Sequence, residues 1–418
     1  MRIRIERLAF GGAGIGRTEG KVVFVRGGLP GDILEIRITK DKGKYAEAEV
    51  EDIVSPSLER TEPMCPVFGK CGGCQWQHLS YSSQLKAKEN ILRETIERLG
   101  GFKDIEVDSI VPSPKHYGYR SRVTLSTWFH GGKRRVGYHQ ERSRLRIEIE
   151  GCPIAREGID ETISRLSSSL SKANSFRYPL KKLNIASDDN RTFVTLVPPL
   201  GQDARKFKSL RNYLKKSLET EDIGIAGDDE PEFEFVILGL KLYSIPSVFI
   251  QGNHEINEQL TETLLQWAGL LGSEKVLDLY SGVGNFSLHL AKKAKAVVGV
   301  DVSAKAVRLA EKGANVNSIR NVIFDASPSE LYVEESLKRG DRFDLVVLDP
   351  PREGAIEILR GISQFSPERI IYVSCDPPTL ARDLKRLKEL GYRLARIRPF
   401  DMFPQTYHIE SLALLLKI

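Results

Sequence analysis

KVLDLYSGVGNFS, residues 275–287, has the pattern of a buried strand that runs into a glycine loop and then a helix. Gly282 and Gly284 allow a tight turn and a close approach of the backbone to a ligand. The next apolar run, AVVGVD, ends at Asp301, where a carboxylate can bind the hydroxyls of a ribose. A dinucleotide fingerprint has a third glycine at the position that Ser287 occupies here. The stretch therefore predicts a nucleoside site at the carboxyl end of a strand.

Apolar strands and amphipathic helices alternate on both sides of this loop. DLVVLDPP and RIIYVSCDPP are near-continuous apolar runs, and the chain closes with ESLALLLKI. Such strands, alternating with helices, are typical of a parallel sheet that is covered by helices on both faces. We therefore predict a Rossmann-like, doubly wound α/β domain over residues 246–418.

The first 58 residues read instead as short strands separated by glycine turns. RIRIERLAF, KVVFVRG and ILEIRITKD alternate apolar and polar side chains, which predicts a small closed β-barrel over residues 1–58. Residues 59–245 mix strand and helix patterns, and we predict a central α+β domain there. An acidic stretch at residues 219–234 is predicted to be a surface loop.

The composition is that of a globular protein without a membrane span. Hydrophobic residues make up 41% of the 418 residues, and no apolar run reaches the roughly 18 residues that a membrane helix needs. The first residues, MRIRIERLAFGG, lack the apolar stretch of a signal peptide. We expect a cytoplasmic protein that is monomeric and has no obligate protein partner.

The net charge of +6 is concentrated in two segments outside the α/β domain. Between Lys115 and Arg146, nine Lys and Arg accompany a single acid, and several aromatic residues lie among them. A second basic cluster covers residues 205–216. Basic side chains pair with phosphates and aromatic rings stack on unpaired bases, so the clusters favour a nucleic-acid partner over a merely solvated surface. Arg134 and Arg135 are candidates for phosphate contacts.

Four of the five cysteines lie in the first part of the chain. Cys65, Cys71 and Cys74 share a loop rich in glycine, Cys152 follows much later, and Cys375 stands alone near the end. Four thiolates can hold either a zinc ion or a 4Fe-4S cluster, and their spacing does not decide between these metals. The distribution predicts a metal site and a separate thiol.

The α/β domain resembles the class I methyltransferases and, among them, the RNA uracil-5-methyltransferase family. DLYSGVGNFSL and the GVD that ends at Asp301 are similar to the first two motifs, and YSIPSVFIQGN to a Phe-x-Gln-x-Asn element. The resemblance implies an enzyme that uses S-adenosylmethionine to methylate carbon 5 of a uridine in RNA. It also implies that the cofactor is contacted by Gln251, Tyr280, Asp301 and Asp349, with Asn285 nearby.

Methylation at carbon 5 of uracil needs three groups beside the cofactor. A thiolate must add to carbon 6, a hydrogen-bonding group must hold the uracil edge, and a base must remove the carbon 5 proton. Cys375 in RIIYVSCDPP, Asp349 in LDPPREG and Glu410 in FPQTYHIESL all lie at the ends of predicted strands. The resemblance implies Cys375 as the nucleophile, Glu410 as the base, and Asp349 close to both uracil and cofactor.

The resemblance extends over nearly the whole chain. The barrel resembles the TRAM domain, an OB-like RNA-binding module. The arrangement of Cys65, Cys71, Cys74 and Cys152 resembles that of the iron–sulfur members of the family and implies a 4Fe-4S cluster with a structural role. Those members modify large-subunit ribosomal RNA or the T-loop of transfer RNA. We predict 23S rRNA as the substrate, with transfer RNA as the alternative.

Two positions depart from the family pattern. Its cysteine motif usually reads Ser-Cys-Asn-Pro, whereas Asp376 follows the cysteine here. An added carboxylate is expected to raise the pKa of the thiol. An Asp or Asn near the adenine usually follows FDA, but this chain continues SPSE, so Asp325 and Ser327 both remain candidates for that contact.

Three other functions fit the sequence less well. Radical enzymes that use S-adenosylmethionine have a Cys-x3-Cys-x2-Cys motif, and the five-residue spacing after Cys65 does not match it. A methyltransferase for exocyclic amines is weakly indicated by the DPP motif, but its chemistry requires neither Cys375 nor Glu410. A non-catalytic RNA-binding protein would not need the three reactive groups.

Overall fold

A computed structural model describes the chain of 418 residues except Glu19, Asp104, Arg142, Asn174, Ser175 and Arg177. Arg142, a member of the first basic cluster, thus lies outside the described residues. In the part of the chain that is described, no helix is long and apolar enough to cross a membrane.

The amino-terminal strands close into a barrel, as predicted. They are β1 (Arg2–Leu8), β2 (Gly14–Thr18), β3 (Lys21–Arg26), β4 (Ile33–Asp41) and β5 (Tyr45–Ser55). Their order is β1-β2-β3-β5-β4, and pairing of β1 with β4 closes the ring. Alternate side chains, such as Ile3 and Ile5 on β1 and Val23 and Val25 on β3, point inward and are almost fully buried. Closure leaves no exposed sheet edge.

The middle of the chain forms a six-stranded sheet with order β11-β10-β9-β6-β7-β8. Its strands are β6 (Arg122–His130), β7 (Lys133–His139), β8 (Arg146–Glu148), β9 (Lys182–Ser187), β10 (Thr192–Val197) and β11 (Ile223–Ile225). The helices α2 (Glu157–Lys172) and α3 (Lys208–Leu218), the latter preceded by a 3-10 turn at Ala204–Phe207, pack against this sheet. Before the sheet, helix α1 (Tyr81–Arg98) follows the loop that carries three of the cysteines.

The acidic stretch at residues 219–234 is not a loop throughout, so that prediction was wrong in part. Ile223–Ile225 forms β11, which pairs in parallel with β10, and Phe233 begins the next strand. Ile223, Ile225 and Phe233 are buried. Apolar residues between the acids therefore enter two different sheets. Asp228, Asp229 and Glu232 remain at the surface between them, whereas the Glu230 side chain is largely buried.

The carboxyl-terminal part is a seven-stranded sheet with order β16-β15-β14-β17-β18-β20-β19. Its strands are β14 (Lys275–Leu279), β15 (Ala296–Val300), β16 (Val322–Asp325), β17 (Leu345–Leu348), β18 (Arg369–Ser374), β19 (Tyr392–Phe400) and β20 (Glu410–Lys417). A hairpin of β12 (Phe233–Ile237) and β13 (Leu240–Ser244) precedes it. The helices are α4 (His254–Ala268), α5 (Asn285–Ala291), α6 (Ala304–Val316), α7 (Ser329–Arg339), α8 (Leu359–Phe365) and α9 (Pro377–Glu389).

Side chains of alternate residues in these strands enter the cores on opposite faces of the sheet. Val276 and Val347 belong to the core on one face, whereas Leu277 and Val346 belong to the core on the other. All four side chains are fully buried. The predicted doubly wound α/β architecture is confirmed.

The last two strands differ from the all-parallel prediction. β14 to β18 run parallel to their neighbours, but β20 pairs antiparallel with both β18 and β19. The loop between β19 and β20 contains no helix. Because a parallel return needs a long crossover connection, this short loop permits only the antiparallel arrangement.

Helix α1 joins the carboxyl-terminal sheet although it precedes the central sheet in the chain. Leu92 and Ile96 of α1 belong to the same apolar core as strands β14 and β17. On the same helix, Lys88 Nζ lies 2.5 Å from Asp401 Oδ1, and neither side chain is exposed. Lys88 also donates to the carbonyl oxygen of Phe403 at 3.0 Å. A buried ion pair therefore fixes α1 to the loop that leads into β20.

We expect Lys88→Met to destabilise the protein by about 3–5 kcal/mol, because it leaves the carboxylate of Asp401 buried without a partner. Thermal and urea unfolding would measure this loss. The double variant Lys88→Met, Asp401→Leu should recover much of it. As a control, Lys338→Met, which removes an exposed pair with Glu334, should change stability far less. Equal effects of the two single variants would contradict this reading of the ion pair.

Candidate active site

The glycine loop after β14 turns through three residues with positive φ. Tyr280 has φ 64°, Gly282 54° and Gly284 85°. A Cβ on Gly284 would lie 3.1 Å from the ring of Phe324 and 3.2 Å from Ala310. The close packing of helix α5 against its neighbours therefore requires glycine at 284. The loop lies at the carboxyl edge of the sheet, as predicted.

Asp301 lies at the same edge and closes the loop. Its carboxylate accepts the N–H of Gly282 at 2.9 Å and the N–H of Ser303 at 2.8 Å. The Asp301 N–H donates to the carbonyl oxygen of Asp325 at 3.1 Å, so residue 325 lies beside it. The carboxylate is thereby held next to the glycine loop, where a ribose hydroxyl can reach an oxygen that keeps a free lone pair.

The side chain of Asn285, a residue predicted to lie near the cofactor, is bonded to helix α4. Its side-chain amide exchanges two hydrogen bonds with that of Asn257 on α4, at 2.8 and 3.0 Å. These bonds engage both its oxygen and its nitrogen. The observed role of the Asn285 side chain is therefore to fix α5 against α4.

Asp349 follows β17, the strand next to β14. Gln251 Nε2 donates to Asp349 Oδ2 at 3.3 Å, which brings two expected cofactor residues together. Burial raises the pKa of Asp349 to about 7, and the nearby carboxylate of Asp278 contributes to the rise. Burial likewise raises the pKa of Asp278 to about 7, against the hydrogen bond from Ser287. Both carboxyls are therefore poised to exchange protons near neutral pH.

Cys375 and Glu410 lie side by side because β18 and β20 are antiparallel neighbours. Ser374 pairs with Ser411, so Cys375 leaves β18 at the level where Glu410 enters β20. Glu410 also pairs with Phe400 on the other side. The structure thus brings the two expected catalytic residues together with Asp349 at one edge of the sheet.

The electrostatics of this site disfavour negative charge. Burial raises the pKa of the Cys375 thiol to about 12, and the carboxyls of Glu410 and Asp349 add to the rise, whereas Arg352 opposes it. Burial, with a contribution from Asp349, also raises the pKa of Glu410 well above its usual value. In the free protein the thiol is therefore protonated at neutral pH.

The carboxylate at 376 has a clear structural role. Asp376 caps helix α9, where its Oδ1 accepts the N–H of Thr379 at 3.0 Å and the hydroxyl of Thr379 at 2.6 Å. Asp376 does raise the pKa of Cys375, as expected, but it is the smallest of the named influences. Asn would cap the helix equally well.

Two charged residues near the site, Asp278 and Arg352, were not singled out in the sequence. Asp278 is a fully buried acid within β14. Its position as an acidic residue inside an apolar run is a sequence signal that could have identified it. Arg352 Nη2 donates to His408 Nε2 at 3.3 Å at the entrance, beside the thiol. Burial and Arg352 lower the pKa of His408 to about 3, so the imidazole is neutral. No periodicity in the sequence indicates the contact between Arg352 and His408.

The four amino-terminal cysteines line a single cavity of about 270 Å³. The side chains of Arg120 and Tyr138 line it as well. Burial raises the pKa of Cys71 to about 11 and that of Cys74 to about 12. Among the described residues, no group of three or more Cys, His, Asp or Glu side chains is arranged to hold one metal ion.

The basic clusters are less available for phosphates than expected. Arg134 is 2% exposed and donates to the carbonyl oxygens of Phe176 and Tyr178 at 3.0 and 2.7 Å, so its proposed phosphate contact was wrong. Arg135 pairs with Glu148 at 2.7 Å. In the second cluster, ion pairs join Lys208 to Asp228, Arg211 to Asp229 and Lys215 to Glu221. Acids of the stretch at residues 219–234 thus neutralise part of α3.

Sequence and structure comparisons show which known proteins this chain resembles. Residues 80–418 match the family profile described as tRNA (uracil-5-)-methyltransferase, and residues 1–50 match the TRAM domain. The 23S rRNA (uracil(1939)-C(5))-methyltransferase RlmD of Aeromonas salmonicida is 38% identical over 96% of this chain and 93% of its own. An uncharacterized RNA methyltransferase of Aquifex aeolicus is 33% identical over 99% and 98%. The crystal structure of Pyrococcus abyssi tRNA (uracil-54, C5)-methyltransferase with S-adenosyl-L-homocysteine is 25% identical, with a TM-score of 0.72 and full coverage of both chains.

The raised pKa of Cys375 predicts slow alkylation that depends steeply on pH. Only the thiolate reacts, and well below a pKa of about 12 its fraction rises about tenfold per pH unit. Mass spectrometry of the Cys375 peptide after iodoacetamide treatment at pH 7 to 9 would measure the rate. Arg352→Gln should slow the reaction and Glu410→Gln should accelerate it, since the replaced groups act on the thiol with opposite signs. The same direction of change in both variants would reject this electrostatic picture.

Proposed function

The chain belongs to the tRNA (uracil-5-)-methyltransferase family and is an RNA (uracil-C5)-methyltransferase, and we propose that it methylates a uridine of 23S rRNA through a covalent adduct with Cys375. One observation carries the mechanism. The antiparallel pairing of β18 with β20 sets a thiol and a carboxyl side by side, with a third group, Asp349, at the same edge. Uracil-5 methylation requires these three groups.

The first step is addition of the Cys375 sulfur to carbon 6 of the uracil. The new carbon–sulfur bond pushes the electrons of the carbon 5–carbon 6 double bond toward the oxygen on carbon 4. A protonated Asp349, whose pKa is raised to about 7, can donate a hydrogen bond to that oxygen. The thiol first loses its proton to solvent, and Arg352 favours the resulting thiolate.

The cofactor supplies an electrophilic methyl group on sulfur when it is bound. Asp301 and the glycine loop are the residues that would hold its ribose, and Gln251 and Tyr280 would flank the rest. Carbon 5, now electron-rich, takes the methyl group, and S-adenosylhomocysteine is the leaving product. Carbon 5 then carries both a proton and a methyl group.

Glu410 completes the reaction as the general base. It removes the proton from carbon 5, the electrons of that bond restore the carbon 5–carbon 6 double bond, and the bond to the Cys375 sulfur breaks. The raised pKa of Glu410 makes its ionised form a strong acceptor for a carbon-bound proton. The proton leaves with Glu410 and returns to solvent, and the thiolate is regenerated.

Relatives named for 23S rRNA support the choice of RNA. They are 38% identical in Aeromonas salmonicida and 34% in Vibrio parahaemolyticus, each over more than nine-tenths of both chains. The archaeal structure named for transfer RNA shares only 25% identity over the same length. Methylation of a transfer RNA uridine is the second candidate.

The proposed iron–sulfur cluster would be held by Cys65, Cys71, Cys74 and Cys152. In a zinc site all sulfurs lie about 2.3 Å from one ion, whereas a 4Fe-4S cube binds each thiolate through a different iron and keeps the sulfurs farther apart. The observation that supports a shared site is the single cavity that all four cysteines line. When bound, the cluster would fasten the cysteine loop to the central sheet and take no part in methyl transfer.

The covalent mechanism predicts that each catalytic variant stops the reaction at a different step. Cys375→Ala should bind S-adenosylhomocysteine and transfer no methyl group. Glu410→Gln should transfer the radiolabelled methyl and then stall as a protein–RNA adduct that survives denaturing electrophoresis, since a positioned base contributes roughly 100- to 10,000-fold. The control Asp376→Asn keeps the helix cap and should turn over.

A 5-fluorouridine transcript should trap the native enzyme in the same way, because fluorine cannot leave as a proton. A 23S rRNA transcript is the expected substrate, and labelling of a transfer RNA transcript instead would move the proposal to the second candidate. Turnover by Cys375→Ala, or an adduct that forms without Cys375, would reject the mechanism.

Protein purified without oxygen should be brown, with a broad absorbance near about 400 nm and about four irons per chain. Cys152→Ser should lose iron and colour, whereas the matched control Cys375→Ala should retain both, because Cys375 lies apart from the cavity. A colourless protein with stoichiometric zinc would overturn the iron–sulfur assignment.

A further inference from the structure

The loop of residues 401–409 forms the wall beside the proposed base. It leaves β19 at Phe400 and returns at Glu410, and these two residues pair directly with each other. Ile409 and Glu410 are buried at the end of the loop. Any shift of the loop therefore changes the position of the Glu410 carboxyl relative to Cys375.

Contacts from residues 75–119, before the carboxyl-terminal sheet in the chain, hold this loop. Lys88 binds Asp401 and the carbonyl oxygen of Phe403. The hydroxyl of Tyr119, on a fully buried side chain, donates to the carbonyl oxygen of Pro404 at 3.0 Å. The sheet that carries Glu410 thus depends on other parts of the chain for the shape of its own active-site loop.

Gln405 is the centre of these contacts. Its backbone N–H donates to Gln84 Oε1 at 2.9 Å, and Gln84 Nε2 donates to Gln405 Oε1 at 3.0 Å. Its carbonyl oxygen accepts the N–H groups of Gln75 and Trp76, at 3.1 and 3.0 Å, directly after Cys74. The backbone of Gln405 has φ 70°, in the left-handed region that a non-glycine residue adopts only when its surroundings impose it.

We propose that Gln84 is a positioning residue for the Glu410 base, acting through its paired hydrogen bonds with Gln405. The inference rests on the proposed function, because it assigns a role within the release of the adduct. Gln84 is 1% exposed and Gln405 3% exposed, so water cannot replace either hydrogen bond. Without Gln84, the buried N–H and side-chain oxygen of Gln405 lose their partners, and the loop must move to satisfy them.

If Gln84 positions Glu410, replacing Gln84 should impair only one step of the reaction, the release of the adduct. Proton removal from carbon 5 and cleavage of the carbon 6–sulfur bond need the Glu410 carboxylate in place. Addition of the Cys375 thiolate and transfer of the methyl group precede that step and depend on β17, β18 and the glycine loop, which Gln84 does not touch. A misplaced base therefore leaves the methylated adduct to accumulate.

The test compares Gln84→Met with the native enzyme on labelled RNA. Met keeps the length of the side chain and removes both hydrogen bonds to Gln405. It also removes the bonds that Gln84 Nε2 donates to the carbonyl oxygens of Trp76 and Leu79. Steady-state turnover should fall about 10- to 100-fold, the scale expected for displacement of a reacting group by less than about 1 Å. Single-turnover methyl transfer and the Kd for S-adenosylhomocysteine should change less than about threefold. A labelled adduct that survives denaturing electrophoresis should be visible during turnover.

Two further variants separate positioning from general loosening. Leu92→Ala shortens a fully buried side chain two turns along the same helix, and it should lower stability without adduct accumulation. Gln405→Gly tolerates the left-handed backbone and keeps the backbone N–H bond to Gln84. It removes the side-chain bond to Gln84 and the bond that Gln405 Nε2 donates to the carbonyl oxygen of His116, so it should accumulate adduct to a smaller extent. An adduct in Leu92→Ala equal to that in Gln84→Met would overturn the proposal, as would equal slowing of methyl transfer and release.

Glu410→Gln serves as the reference for the mechanism itself. If Glu410→Gln traps the adduct and Gln84→Met releases product at the native rate, the positioning role is wrong and the proposed function stands. If Glu410→Gln traps nothing, the proposed function fails, and the role of Gln84 fails with it.

Discussion

Insertion of the last strand, β20, between β18 and β19 is the constraint on which the active site depends. The preceding strands are parallel, and their carboxyl ends alone would provide a nucleotide site and a thiol. Because β20 runs the other way, its first residue lies at that same edge, so Glu410 meets Cys375. This arrangement requires a loop without a helix between β19 and β20. The backbone N–H and carbonyl groups of that loop must form hydrogen bonds with other parts of the chain. Helix α1 and the cysteine loop provide them.

The same burial that brings the groups together opposes their ionisation. Cys375, Asp349, Asp278 and Glu410 all have raised pKa values, with burial as the largest cause. Asp278 and Asp349 are protonated more readily in the folded protein than in the unfolded chain. Their contribution to stability is therefore fully present below about pH 4 and is lost as the pH rises through about 7.

Apolar packing joins the amino-terminal barrel to the reaction centre. One buried cluster contains Leu8 and Leu29 of the barrel segment, Trp76 of the cysteine loop, and Ile409, which is next to the proposed base. Phe10 contacts the ring of Tyr407 edge-on, with 5.3 Å between ring centroids. The TRAM barrel, the cysteine loop and the loop before β20 are consequently packed on one another.

The sequence by itself determined the elements whose signals are local. Glycines at 282 and 284, a carboxylate at 301 and near-continuous apolar strands specify the nucleotide loop and the doubly wound sheet, because strand burial and tight turns depend on neighbouring residues. Cys375 and Glu410 were identifiable by their motifs. Tertiary structure alone decided the direction of β20, the burial of Arg134, the engagement of Asn285 by Asn257, and the strand within the acidic stretch. It also decided that Lys88 and Gln84 fix a loop more than 300 residues away in the chain. The periodicity of a sequence predicts which residues are buried, but it does not predict which distant residues they contact. Hydrogen bonds between buried groups depend on those contacts, so only the tertiary structure decides them.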